Sequence, residues 1–277
     1  MFEDKIIPLD TWVSQAVEWL VDNYRPFFQA IKWPVETTLS GFDNGLNAIH
    51  PIIVIIAIGL AAWKFSGIKL SIFSVVTMAF VGMLGLWTDA MTTLAMVLSA
   101  VIFCTLVGAP LGILAGRSDK FESWMRPFLD AMQTTPAFVY LVPIVMLFSV
   151  GNVAGVLSTI VFAMPPIIRL TSLGIRGVHP ELVEAAQAFG ATNWQVLVRV
   201  QIPLAMPTIL AGLNQTIMMA LSMVVIAALI GAGGLGSPVI LGLNTLDIGQ
   251  AVIGGLGIVL MAIILDRITQ SMAQKKD

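Results

Sequence analysis

The stretch His179–Pro203, HPELVEAAQAFGATNWQVLVRVQIP, is polar and patterned in a chain that is otherwise strongly apolar. Pro180 suits the first turn of a helix, where its missing N–H is not needed, and Glu181 and Glu184 near that turn complement the positive helix end. Gly190 supplies a left-handed stop. Thr192 opens a second helix, because Thr192-Asn-Trp-Gln195 fits a capping box in which hydroxyl and amide side chains satisfy each other's orphan backbone groups. Pro203 marks the expected end of that second helix. The segment therefore reads as helix, glycine turn, helix. Ala185 and Ala186 leave room for a partner to come close. Phe189 and Trp194 leave aromatic surface bordered by charge, the composition of a protein interface. On these residues alone, a loop packed under its own bundle is the alternative.

The rest of the chain explains why this piece stands out. Of 277 residues, 57% are hydrophobic and 11% charged, with a mean hydropathy of +0.92. Soluble domains carry about a quarter charged residues, so this is an all-α integral membrane protein. A helix needs about 20 apolar residues to cross the hydrocarbon core. About seven stretches qualify: Leu46–Trp63, Leu70–Trp87, Met91–Gly116, Leu129–Val150, Val153–Ser172, Leu204–Ile230 and Ile248–Leu265. Gln133, Thr134, Thr135 and Pro136 interrupt the fourth, and Pro165 and Pro166 the fifth.

Lys and Arg in short loops set orientation. With the N-terminus outside and the C-terminus in the cytosol, the inner side receives Lys64, Lys69, Arg117, Lys120, Arg126, Arg169, Arg176, Arg199, Arg267, Lys275 and Lys276. That leaves Lys5, Arg25 and Lys32 outside, a division of eleven against three among the 14 basic residues. His179–Pro203 then faces the cytosol. Trp63, Trp87 and Trp124 fall at or near span ends, where amphipathic rings prefer the headgroup level.

Three regions follow. Residues 1–45 form an external tail without signal-peptide order, expected to belong to the mature protein. In it Val13, Val17, Leu20, Tyr24, Phe27 and Ile31 recur at helical spacing, predicting an amphipathic helix on the outer leaflet, bent at Pro26. The alternative is a solvated tail docked on the protein's own outer loops. Residues 46–88 hold two peripheral spans. Residues 89–277 hold the core, with a cytosolic loop at 173–203.

Several functions are disfavoured. Every charged residue falls at a span end or in a loop, whereas secondary transporters and pumps usually place ionisable groups within the membrane. Sodium coupling through carbonyls of broken helices stays open as the weaker alternative. His50 and His179 lie on opposite sides and have no ligand-spaced partner, so neither a metal centre nor an enzyme is expected. Gly231-Ala-Gly233-Gly-Leu-Gly236 fits G-x-G-x-x-G but ends a long apolar run, which predicts helix termination with close backbone packing. Asn214-Gln215-Thr216 fits a glycosylation acceptor, but inside a span no sugar can be attached. No Gly-Lys pair occurs, so the phosphate-cradling ATP loop is missing. Cys104 lies alone in an apolar run and reads as a buried, inert thiol. No nucleic-acid partner is expected.

Within the spans, Gly108, Gly112 and Gly116 put small residues on one helix face, predicting a close helix contact. Gln133, Thr134, Thr135, Asn214, Gln215, Thr216 and Ser222 are the conspicuous polar residues. They serve either as interhelical hydrogen-bonding groups or as the lining of a polar translocation path.

Glu184-Ala185-Ala186, Gly190 and Val200-Gln-Ile202-Pro203 closely resemble the E-A-A-x3-G-x9-I-x-L-P motif of permease subunits of ATP-binding-cassette importers, with Val for Ile and Ile for Leu. GAPLGILAGR (108–117), LDAMQTTPAFVYLVPIVMLF (129–148), NQTIMMALSMVVIAALIGAGGLG (214–236) and LDIGQAVIGGLGIVLMAIILDRITQ (246–270) are similar to the glycine betaine/proline betaine permease group, which includes choline importers. The resemblance implies a type I importer permease fold in the bacterial inner membrane, working as a non-catalytic subunit. Two copies would form the path, an external binding protein would deliver solute, and two ATPase subunits carrying ATP and Mg would grip the loop. It also implies that Glu184, Ala185, Ala186, Phe189, Gly190, Thr192 and Pro203 make the ATPase contact.

Overall fold

The computed structural model describes residues 8–274, so Lys5, Lys275 and Lys276 of the charge division lie outside the described residues. Every regular element among those residues is helical. In order these are α1 (Leu9–Ala48), α2 (Pro51–Ser66), α3 (Ile68–Met83), α4 (Trp87–Arg117), α5 (Asp119–Thr134), α6 (Leu141–Phe148) and α7 (Asn152–Arg176). They continue as α8 (Pro180–Ala188), α9 (Asn193–Val196), α10 (Ile202–Ala227), α11 (Gly236–Thr245) and α12 (Ile248–Gln274).

The core is α7 held between α4 and α10, with α12 against α10 and the α2–α3 hairpin against α12. Glycine decides how near α4 and α7 come. A Cβ on Gly108 would lie 2.5 Å from Ile167 Cγ2, on Gly112 2.7 Å from the Ile168 carbonyl oxygen, and on Gly116 2.8 Å from Ile175 Cβ. The repeat at every fourth residue is thus a packing face, as its spacing predicts. Around it Met91, Met96, Ile167, Val156 and Val224 are fully buried. The opposite faces of α2, α3 and α12 expose Ile56, Val76, Met83, Val252 and Val259, surface suited to lipid.

The basic ends of the helices gather on one side. Arg176 at the end of α7 reaches the Ala115 carbonyl near the end of α4, and Ser271 near the end of α12 meets Ser66 at the end of α2. At the other side the glycine-rich turn after α10 is pinned. Gly233 N–H donates to Asn152 Oδ1 at 2.6 Å and Leu235 N–H to Thr93 Oγ1 at 2.8 Å. A Cβ on Gly234 would lie 2.4 Å from Thr93 Oγ1, so the G-x-G-x-x-G match is helix termination with close packing, as expected.

Among the described residues four helices are long and apolar enough to cross a membrane: Trp87–Arg117, Asn152–Arg176, Asn193–Ile230 and Ile248–Met272. Counting each of two bent pairs as one span gives up to six, against about seven from hydropathy. Prolines bend the two pairs, and the helix left out of the six is Ile68–Met83, too short at 16 residues. Pro136 drives Thr135 to ψ 126°, and the chain turns by 104° between α5 and the 137–148 segment, dividing the predicted fourth span. Pro51 likewise holds His50 at ψ 133°, and α1 meets α2 at 109°. The His50 Nδ1 accepts from Ile52 N–H there, a capping role the sequence reading did not assign. At 16 residues, α2 and α3 are each about 24 Å long, short of a bilayer core of about 30 Å. Pro165 and Pro166 leave α7 unbroken, since buried packing on α4 and α10 outweighs a local cost of about 3 kcal/mol per proline.

In α1 the bend falls at Tyr24 (φ −117°, ψ 19°), two residues before Pro26. The C-terminal part of the helix packs on the rest of the protein. Val35 and Leu39 are buried, Phe28 packs edge-on against Phe148, and Thr92 donates to Asp43 Oδ1 at 2.8 Å, so one face docks on the protein. Trp12, Trp19, Phe27 and Trp33 stay exposed on the rest of its surface.

Candidate coupling surface and polar path

The helix-turn-helix forms as its residues dictate. His179 has the extended backbone of a helix start, and Pro180 takes the first turn of α8. At the other end Gly190 adopts φ +85°, Gly190 N–H donates to Gln187 O at 2.9 Å and Ala191 N–H to Ala186 O at 3.1 Å, the paired bonds of a Schellman stop. The capping box closes both ways: Thr192 N–H donates to Gln195 Oε1 at 2.8 Å and Gln195 N–H to Thr192 Oγ1 at 3.3 Å.

Pro203 does not end the second helix. α9 runs through a π turn, Leu197–Gln201, into α10, giving one helical rod over Asn193–Ile230. Proline lacks the N–H that would continue the α ladder, and Ile202 N–H instead donates five residues back to Leu197 O. The wider turn absorbs the ring, so proline lies in the first turn of α10. The helix-turn-helix is therefore continuous with a helix long and apolar enough to cross a membrane.

Burial separates the inner from the outer side of this segment. Val196 and Leu197 are buried, and Leu197 clusters with Ile175 and Ala205. Val178, in the linker before α8, is also buried. Ala186 is half-buried towards the bundle. Glu184, Ala185 and Thr192 are exposed, Phe189 is 92% exposed and Trp194 68%. Two aromatic rings thus stand in the open beside a carboxylate and an alanine face, on a scaffold fixed from below. A Cβ on Gly190 would meet nothing within 4 Å, so only the positive φ constrains that position within the chain.

The polar candidates divide. On α10, Gln215 and Ser222 are exposed and seven residues apart, hence on one face. Asn214 turns the other way: its amide donates to Asp266 Oδ1 at 3.1 Å, and Thr269 Oγ1 donates to its carbonyl. Gln270 completes the cluster with bonds to Asp266 at 3.0 and 3.1 Å. Thr216 is fully buried, and its hydroxyl has no partner among the described residues. In α5, Gln133 is exposed, while the Thr134 and Thr135 hydroxyls donate to the Ala131 carbonyl at 3.4 and 2.8 Å. Tyr140, which the sequence reading passed over, donates to Met132 O at 2.7 Å and fastens the chain across the break. The turn that follows Pro136 packs on α10, bringing this break to the Gln215-bearing helix. Asp266, Thr269 and Gln270 were likewise passed over. Their signal was a carboxylate followed at i+3 and i+4 by hydrogen-bonding side chains at the end of an apolar run.

Comparison with known proteins agrees with this geometry. The chain is 53% identical over 273 residues to the glycine betaine/proline betaine transport system permease protein ProW of Escherichia coli K12, covering 99% of this chain and 77% of that protein. It is 44% identical over 270 residues to the glycine betaine transport system permease protein OpuAB of Bacillus subtilis 168, covering 98% and 96%. In fold it is similar to a chain of the MetNI methionine ABC transporter in an inward-facing conformation, with a TM-score of 0.63 at 21% identity, over 69% of this chain and 96% of that one. A family model described as binding-protein-dependent transport system inner membrane component matches residues 108–276, which include the whole helix-turn-helix. The chain belongs to that family of binding-protein-dependent permeases, with the type I importer fold.

Proposed function

We propose that two copies of this chain line the path of an ATP-driven importer for glycine betaine, proline betaine or a related quaternary amine such as choline, in the bacterial inner membrane. The names of the relatives support the solute class. The observation that carries the coupling reading is the exposed Glu184, Ala185 and Phe189 face on α8, held by a Schellman stop and a capping box. The basic end of the bundle faces the cytosol, where two ATPase subunits bearing ATP and Mg receive α8. An external binding protein delivers solute at the other end.

In this reading ATP closes the ATPase pair, which shifts α8 and with it the spans between inward- and outward-open states. Glu184 makes a charge-assisted contact with the ATPase. Ala185 and Ala186 admit its surface closely, and Thr192 and Pro203 keep the segment rigid on α10. The exposed Gln215–Ser222 face of α10 and the α5 break at Gln133–Thr135 line the path between the copies. Asn214 and Thr216 support it from behind. α1 lies at the outer leaflet through its exposed tryptophans, and residues 46–88 form the periphery.

Reconstitution tests the proposal. Vesicles holding this chain, its ATPase and its binding protein should accumulate labelled glycine betaine only with ATP at the ATPase side. Uptake by this chain alone under a sodium gradient would overturn it.

A further inference from the structure

The cytosolic end of α7 carries a second device. Arg176, the last residue of α7, places Nη1 2.5 Å from Asp119 Oδ1 and Nη2 3.0 Å from Glu122 Oε2, both on α5. The same Nη2 donates to the Ala115 carbonyl of α4 at 2.7 Å. Two turns earlier, Arg169 pairs with Asp130 of α5. The two anchor points are seven residues apart on α7, and Glu122 and Asp130 are eight apart on α5 in the opposite sense, so two antiparallel helices are laced at matched spacing.

Leu129 is the only buried residue of α5, and a cavity of about 380 Å³ lies between the laces, lined by Met125 and Leu129 of α5 and Ile168 and Ser172 of α7. Guanidinium contacts tie α5 to α7 near both ends, beside the packing of Met125, Leu129 and Met132 on the core. A planar fork holding three acceptors fixes geometry in a way that a single ammonium cannot. Arg176 is also joined to α8 by only Gly177, Val178 and His179, and α5 leads directly into the Thr135–Pro136 break.

We propose that Arg176 and Arg169 form a clamp that carries displacement of the coupling helix into α5, and so to the break at Gln133–Pro136. Arg176 is a positioning residue that sets how much solute moves per ATP hydrolysed. The inference rests on the ATP-driven import proposed above, and it adds the route by which the stroke reaches the path.

The test uses the reconstituted complex of this chain, ATPase and binding protein, with glycine betaine uptake and ATP hydrolysis measured together. Arg176→Glu should lower solute moved per ATP by about tenfold, and combining it with reversal of its carboxylate pair, Asp119→Lys with Glu122→Lys, should recover most of the loss. A wild-type ratio in Arg176→Glu would overturn the clamp, as would failure of the reversed pair to recover in a complex that assembles normally. Should Arg176→Glu fail to assemble, Arg169→Cys with Asp130→Cys decides. Cys104 is the only other cysteine of this chain and is buried, so with cysteine-free ATPase and binding protein a short bifunctional thiol reagent joins the new pair alone. The ratio should fall before cross-linking and return after it; transport blocked by the cross-link would overturn the clamp. A wild-type complex that moves no quaternary amine would instead defeat the import proposal and leave the clamp's geometry in place.

Discussion

The side-chain amide of Asn214 on α10 donates to Asp266 Oδ1 on α12 at 3.1 Å, while its sequence neighbour Gln215 faces outward. Adjacent residues on a helix point about 100° apart, so one polar pair serves two purposes. Asn214→Leu leaves a half-buried carboxylate short of a donor and should lower stability by about 1–3 kcal/mol. Gln215→Ala should leave thermal unfolding unchanged and alter solute uptake. Melting curves of both purified variants, with uptake, check the division; equal melting losses would merge the two roles.

The α4–α7 contact admits no extra carbon. Gly112→Ala places a methyl 2.7 Å from the backbone carbonyl of Ile168 and should cost about 1–3 kcal/mol. Gly255→Ala in α12 meets nothing within 4 Å and should be neutral or slightly stabilising through helix propensity. Thermal unfolding in one detergent compares the two directly.

Phe189 and Trp194 contribute nothing to the chain's own core. Replacing both with Ala should leave unfolding unchanged and weaken ATPase association by more than about tenfold, as for aromatic anchors at interface centres. Titration of the ATPase onto purified permease measures it.

Gly190→Asp should insert normally and abolish transport. The open space around Gly190 means the cost within this chain is only the positive φ, about 1–2 kcal/mol. On the proposed coupling, the loss comes from the ATPase contact, which a carboxylate at the turn obstructs. Membrane yield and uptake are the two readouts; normal uptake would remove Gly190 from the coupling surface.

Much of this was legible in residues. The Schellman stop and capping box of 180–196 follow from local chemistry, and the glycine face of α4 from spacing alone. Pro203 was misread because the rule that proline ends helices does not include the π turn that absorbs it. The start of α5 and all of α11 lack a span signal: one mixes charge with aromatics, and the other is 10 residues between a glycine-rich turn and the left-handed Leu246. The facing of Asn214 and Gln215 needed α12 in place, which periodicity does not provide.

The most direct test of ATP-driven coupling is glycine betaine uptake by the reconstituted complex with Glu184→Ala beside wild type. The account predicts ATP-dependent uptake in wild type, and uptake reduced by at least about tenfold in the variant with its fold intact. ATP-independent uptake by the permease alone, unchanged in Glu184→Ala, would contradict it.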